Sequence, residues 1–281
     1  MKDELGSCSA LAPAKLTRRL AVVGVRPDGL HLIDAEMVTV SLFDEVRLVD
    51  NPAVFDVVDP DGYLTQLEER FGPIPRDNSN LVRKALTALG VRAGVVLTKR
   101  IPFGAGLGGG SSDAAAVFRL LGQEDKVDLA ASIGADLPFC IRGGRAHVHG
   151  FGDLVESLPF VEEEFLLFLS PVLCPTGTIY RLYDEVGSDG SANDLRKAAL
   201  AASKELSGRF EEICTLIGSE VNLAGSGSTL FLDQSDSDVF DRACELTQVS
   251  PNSSTTISLG EYEFVVWRVH SVRGEGSHRR Q

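Results

Sequence analysis

Between Ile101 and Asp113 the chain sets five glycines in the seven positions from Gly104 to Gly110, then Ser111, Ser112 and Asp113. Glycine alone takes positive φ freely and lets a ligand approach the main chain closely. Ala114, Ala115, Ala116 and Val117 follow and read as a helix, whose first turn offers unpaired N–H groups and a partial positive charge. A glycine-rich loop opening into a helix is an anion cradle, and phosphate is the usual anion. The Walker pattern is excluded, because no lysine stands between Arg100 and Lys126. Gly104, Gly106 and Gly109 match the dinucleotide fingerprint. Pro102, however, interrupts the strand that should enter the first glycine, and Glu124 and Asp125 fall in a polar connection. On residue types alone, that fingerprint and a plain glycine turn stay open as alternatives.

Chemistry needs groups from outside the cradle. Asp136 stands between apolar neighbours in Gly134-Ala135-Asp136-Leu137-Pro138-Phe139, ahead of a strand-like run. Unpaired carboxylates are rarely buried, so it reads either as a turn or cap residue or as a functional acid. By type alone, Lys15 in Pro13-Ala14-Lys15-Leu16-Thr17 is an ordinary exposed lysine. His31, after the turn Arg26-Pro27-Asp28-Gly29-Leu30, reads as structural, Tyr180 as core, and Asn193 with Asp194 as a helix cap. Gly225-Ser226-Gly227 marks a late turn.

In this order, the segments resemble the motifs of the GHMP kinases (galactokinase, homoserine, mevalonate and phosphomevalonate kinases). The long form Gly106-Leu107-Gly108-Gly109-Gly110-Ser111-Ser112 is similar to the diphosphocytidyl-methylerythritol kinase branch. The resemblance runs from Ala12 to Leu232. It implies an α+β, two-domain GHMP kinase fold: a ribosomal-protein-S5-like ATP-binding domain over residues 1–155 and a ferredoxin-like α/β substrate domain over 156–281. It implies ATP held by Pro102, Gly104, Ala105, Gly106, Leu107, Gly108, Gly109, Gly110, Ser111 and Ser112, with Asn80 by the adenine and Ser112 as a Mg2+ contact. It makes Asp136 the catalytic base and Lys15 its partner, and gives Thr17, His31, Asp136, Thr176 and Tyr180 to the substrate, with Tyr180 stacking on a cytosine.

The reaction so implied is ATP-dependent phosphorylation of the 2-hydroxyl of a cytidyl diphosphate sugar alcohol in the non-mevalonate isoprenoid pathway. Three departures bear on it. Thr17 stands where the branch has asparagine, Leu30 where it has tyrosine, and the connector over residues 117–133 is short. They motivate one alternative, a GHMP kinase acting on another small alcohol; a second, an inactive nucleotide-binding relative that kept the loop, has the intact Lys15 and Asp136 against it.

Composition narrows the class. With 43% hydrophobic residues the chain can bury a real core, and a net charge of −13 argues against a nucleic-acid or membrane binder. Cys8, Cys140, Cys174, Cys214 and Cys244 are scattered and read as buried thiols of a reducing cytoplasm. The most apolar stretch, Phe165 to Cys174, is too short to span a bilayer. No signal peptide is visible in residues 1–12, and Lys2-Asp3-Glu4-Leu5 is at the wrong end to be a retention signal. A cytoplasmic enzyme of small molecules, monomeric or homodimeric, is the expectation.

Alternating helix and strand patterns must position these groups. Strands are expected over Leu20–Val25, Met37–Leu42, Asp44–Val49, Val91–Thr98, Phe165–Pro171 and Phe264–Val272, and a hairpin over Gly143–Asp153. Helices are expected over Asn80–Leu86, capped by Asp77, Asn78 or Ser79, and over Ser237–Leu246. Residues 59–79 read as surface, Lys99 and Arg100 as positive charge at the mouth of the loop, and Gly274–Gln281 as a frayed tail.

Overall fold

A computed structural model describes residues 8–274; the Lys2 to Leu5 segment and the tail beyond Gly274 lie outside the described residues. Strands β1 (Cys8–Val25) and β2 (His31–Val49) form a long antiparallel hairpin around the expected Pro27-Asp28-Gly29 turn. The two segments expected in β2 are one strand with an irregularity between them, where Pro13 faces Phe43 but Ala14 faces Val40. Proline has no N–H for a ladder, so it is placed where the ladder is already broken.

Strand β3 (Phe55–Val58) pairs in parallel with β4 (Gly94–Thr98), which needs a crossover; α1 (Tyr63–Phe71) and α2 (Leu81–Ala88) supply it. Residues 59–79 are therefore not mere surface. Their Pro, Gly and Asp residues flank α1, marking its ends, while Leu64 and Leu67 inside it are buried. Arg70 of α1 donates to the Pro171 carbonyl at 2.9 Å and pairs with Glu205.

After β4 come α3 (Gly109–Leu120), α4 (Val127–Ile133) and α5 (Leu137–Arg142), then the expected hairpin of β5 (Arg145–His149) and β6 (Leu154–Ser157). The run after Pro138, strand-like in sequence, is helical. Proline is tolerated at the start of a helix because its missing N–H has no partner to lose there. Both connector helices exist, and the second, α4, is the short one at 7 residues. The first sheet runs β3-β4-β2-β5-β6, with β1 also on β2.

The second sheet, β10-β11-β7-β9-β8, is antiparallel throughout. It comprises β7 (Glu164–Leu169), β8 (Asn222–Leu223), β9 (Leu230–Asp233), β10 (Ser253–Leu259) and β11 (Tyr262–His270). Helices α6 (Thr176–Val186), α7 (Arg196–Ala202) and α8 (Lys204–Ile217) lie between β7 and β8, and α9 (Ser237–Thr247) follows β9. β10 is an edge strand of Ser and Thr with no apolar run to announce it.

The sheets pack through a core of Ala14, Leu16, Val38, Val40, Phe165, Leu167 and Val269. Arg18 links them at the rim, reaching Glu36 on β2 at 3.2 Å, Glu163 at 2.9 Å and Asp233 at 3.3 Å. All five thiols are free; Cys140 and Cys174 are buried, but Cys8 is exposed and Cys214 and Cys244 are half-buried, against the expectation for all five. Among the described residues, no helix is long and apolar enough to cross a membrane.

Candidate active site

The glycine loop lies along the free edge of β1, where the Lys15 N–H donates to the Leu107 carbonyl at 3.0 Å. Leu107 and Ala105 are buried and anchor the loop, while Gly104 and Gly110 are exposed and Gly106 and Gly108 half-buried. Two glycines are required by close approach. A Cβ on Gly106, at φ 78°, would stand 2.1 Å from the Ala224 carbonyl oxygen, and one on Gly108, at φ 67°, would stand 2.6 Å from Lys15 Cγ. Lys15 thus crosses directly over the loop, and the late Gly225-Ser226-Gly227 turn closes on it from the other sheet.

Lys15 Nζ lies 3.1 Å from Thr17 Oγ1 and 3.5 Å from Asp136 Oδ2. Asp136 occupies the N-cap position of α5, but its side chain makes no capping bond. Its carboxylate is about one-third exposed while the Lys15 side chain is buried. The carboxylate sits at the cleft surface beside the lysine, within reach of an incoming hydroxyl. The two expected catalytic residues therefore meet, with Thr17 beside them.

Next to Asp136, at Ala135, an open cavity of about 340 Å3 is lined by residues that include Leu30, His31, Phe151, Thr176, Tyr180, Arg181 and Asp184. The His31 and Tyr180 rings lie 4.7 Å apart, tilted by 33°. Thr176 Oγ1 is 3.1 Å from Ser226 Oγ, tying α6 to the late turn. Burial raises the Tyr180 phenol pKa, and the negative charge of Asp136 adds to it, so the hydroxyl stays neutral beside the carboxylate. Leu30 is about half exposed and offers no ring. Phe151, Arg181 and Asp184 escaped the sequence reading; Asp184 carried the one usable signal, four residues after Tyr180 on a helix face.

Three expectations change. Ser112 is fully buried and donates its hydroxyl to the Pro13 carbonyl at 2.6 Å, so it has no free face for a cation. The helix begins at Gly109 with Gly108 as its cap, which places Ser112 a full turn inside; Ser111 keeps a half-exposed side chain. Lys99 and Arg100 do not deliver free charge to the loop. Lys99 is buried between Asp44 and Asp113, 2.7 Å from the latter, and Arg100 pairs with Asp61 at 3.2 Å. Asn80 is itself the cap of α2, accepting from the Val82 N–H at 2.9 Å and donating to the Pro75 carbonyl at 2.8 Å. It stays near the cradle because α2 packs against α3.

The buried triad is a support. Asp44 also accepts the N–H groups of Arg100 and Ile101, at 2.6 and 2.8 Å, which fixes the strand leading into the loop. Burial pushes the Asp113 carboxyl up to about 7, with Lys99 opposing and Asp44 adding to the rise, and its Oδ1 has no partner. Burial alone would lower the Lys99 pKa, but the two carboxylates outweigh it and raise it.

Residues 80–144 match the family model described as GHMP kinases N terminal domain. A relative from Gloeobacter violaceus, "4-diphosphocytidyl-2-C-methyl-D-erythritol kinase", is 30% identical over 262 residues, covering 78% of this chain and 83% of the relative. One of the same name from Bacillus pumilus is 29% identical over 279 residues, covering 94% of this chain and 92% of the relative. A crystal structure of 4-(cytidine 5'-diphospho)-2C-methyl-D-erythritol kinase superposes with a TM-score of 0.60 at 27% identity, over 92% of this chain and 99% of that one.

Proposed function

The chain belongs to the 4-diphosphocytidyl-2-C-methyl-D-erythritol kinase family, and from that premise we propose that it transfers the γ-phosphoryl group of ATP to the 2-hydroxyl of the cytidyl diphosphate sugar alcohol. The observation that carries this is the Lys15–Asp136 pair, held at 3.5 Å between the glycine loop and the aromatic cavity.

Phosphoryl transfer asks for charge neutralisation, in-line placement and a proton acceptor. The main chain of the glycine loop and the first turn of α3 receive the phosphates. The acceptor's pyrimidine enters between Tyr180 and the Leu30 side of the cavity, which brings its sugar alcohol end towards Asp136. Asp136 takes the hydroxyl proton as the oxygen bonds to the γ-phosphorus and the bond to the ADP oxygen breaks. Lys15 holds Asp136 in place and faces the charge that develops on the transferred group.

Mg2+ is the expected companion of the triphosphate. It takes hard oxygen ligands and is usually held by one or two protein oxygens plus phosphates. Among the described residues, no group of three His, Cys, Asp or Glu side chains is placed to hold a metal ion. The half-exposed Ser111 hydroxyl is the protein oxygen that would hold it. When bound, the ion neutralises phosphate charge.

We read residues 1–155 as the nucleotide domain and 156–281 as the substrate domain, close to the division between the two sheets, although β6 of the first sheet runs on to Ser157 and His31 and Ala135 reach into the acceptor cavity. Exposed Leu30 supports a second reading, a kinase for another small alcohol. ATP turnover measured with the cytidyl acceptor, mevalonate, homoserine and no acceptor separates them. Turnover with the cytidyl acceptor alone is expected; turnover with one of the other alcohols instead would overturn the assignment.

A further inference from the structure

We propose that Asp184 sets the base specificity of the aromatic cavity, fixing the tautomer of His31 so that a pyrimidine with an amino group at C4 is accepted and one with a carbonyl there is refused. This rests on reading the cavity as the pyrimidine end of the acceptor site.

His31 Nε2 lies 2.8 Å from Asp184 Oδ1. A carboxylate only accepts, so Nε2 carries the hydrogen, and in the neutral ring Nδ1 is left as a bare acceptor. Nδ1 has no partner among the described residues, so its lone pair is available to a ligand. The ring is also fixed in place, against the face of Tyr180 at 4.7 Å and the edge of Tyr183 at 6.4 Å and 79°. Tyr180 and Asp184 are four residues apart on α6, so a single helix face supplies both the stacking surface and the acceptor that orients the histidine.

The division of exposure fits this role. The His31 side chain is 11% exposed and the Asp184 side chain 52%, so the carboxylate holds the ring from the solvent side. The 4-amino group of cytosine donates a hydrogen bond to a bare Nδ1. The 4-oxo group of uracil would instead set lone pair against lone pair. A site built around a hydrogen bond rejects the analogue that cannot make it far better than an apolar pocket rejects a change of size. Asp184 lines the same cavity, and the role assigned to it is through the histidine it orients. It is a positioning residue, acting through His31.

The test compares kcat and KM for the cytidyl acceptor and its uridyl counterpart in the wild type, Asp184→Ala and Asp184→Asn. 15N NMR of the His31 imidazole is recorded in parallel, at a pH where the ring is neutral. In Asp184→Ala the cytidyl-to-uridyl ratio of kcat/KM is expected to fall about five- to tenfold, the worth of one oriented hydrogen bond. The loss should lie in the KM for the cytidyl acceptor with kcat preserved, and the spectrum should change from one tautomer to a mixture. Asp184→Asn keeps an acceptor oxygen and should restore most of the ratio. An unchanged ratio, an equal loss for both acceptors, or an unmoved imidazole spectrum in Asp184→Ala overturns the proposal. A wild type that phosphorylates neither acceptor overturns the reading of the cavity, and this inference with it.

Discussion

Lys15 Nζ and Asp136 Oδ2 face each other at 3.5 Å, one side chain carried by a strand near the start of the chain and the other by the turn before α5. The strand is held against the glycine loop by its own backbone, and the turn is held by a helix packed on α3. Neither group can move without dragging an element that touches the cradle.

Replacing Asp136 by Asn should therefore remove the proton acceptor while leaving the shape of the site. The expected loss in kcat is about 10^2- to 10^4-fold, the usual worth of a positioned general base, with nucleotide affinity unchanged. Single-turnover rates and an ADP titration measure the two separately. Unaltered kcat would remove Asp136 from the mechanism.

Gly106→Ala places a Cβ 2.1 Å from the Ala224 carbonyl oxygen at a positive φ. Backbone cannot yield as a side-chain tip does, so overpacking should cost about 1–3 kcal/mol in a urea titration. KM for ATP should rise more than KM for the acceptor, because the displaced main chain is the cradle itself. Gly122→Ala is the control. It has a similar φ of 62° but nothing within 4 Å, and should leave the KM for ATP unchanged.

Leu30 stands at the cavity rim without a ring. Leu30→Tyr should add a second stacking surface opposite Tyr180 and lower the KM for a cytidyl acceptor by about three- to tenfold, in keeping with the worth of aromatic pairs. An unchanged KM would place the base elsewhere.

The buried triad predicts a pH dependence of stability. The Asp113 carboxyl, at about 7 in the folded protein, stands above its ordinary value of about 3.9, so the folded state binds the extra proton between the two. Its contribution is complete below about pH 4 and is lost as the pH climbs through about 7. Urea midpoints at about pH 5 and about pH 8 should therefore diverge in the wild type and converge in Asp113→Asn. Lys99→Met leaves two carboxylates buried without their cation and should cost about 3–5 kcal/mol.

How far the sequence carried these conclusions depends on the residue. The glycine loop was legible because phosphate binding favours glycine before a helix start, whereas Lys15, Asp136 and the late turn stood out only through the family resemblance. The His31–Tyr180 meeting was legible only through family resemblance, since a histidine and a tyrosine are ordinary residues by type. Nothing in sequence announced that Lys99 would turn inward between Asp44 and Asp113. A lysine beside an arginine at the end of a strand looks like solvated charge until its tertiary neighbours are known. Ser112 went astray by one helical turn. The helix starts within the glycines, where propensity argues against a helix and packing of α3 against β1, α2 and α5 supports it. α1 was hidden because the Pro and Gly residues at its ends were read as the character of the whole segment.

Gly106 rests against carbonyl groups of a hairpin that belongs to the other sheet, at Ala224 and Gly227. Residues 104–108 and 224–228 are thus mated surfaces. Chimeras that graft one half of a relative onto this chain should work only when both stretches come from the same parent, and drift in either should be answered by drift in the other.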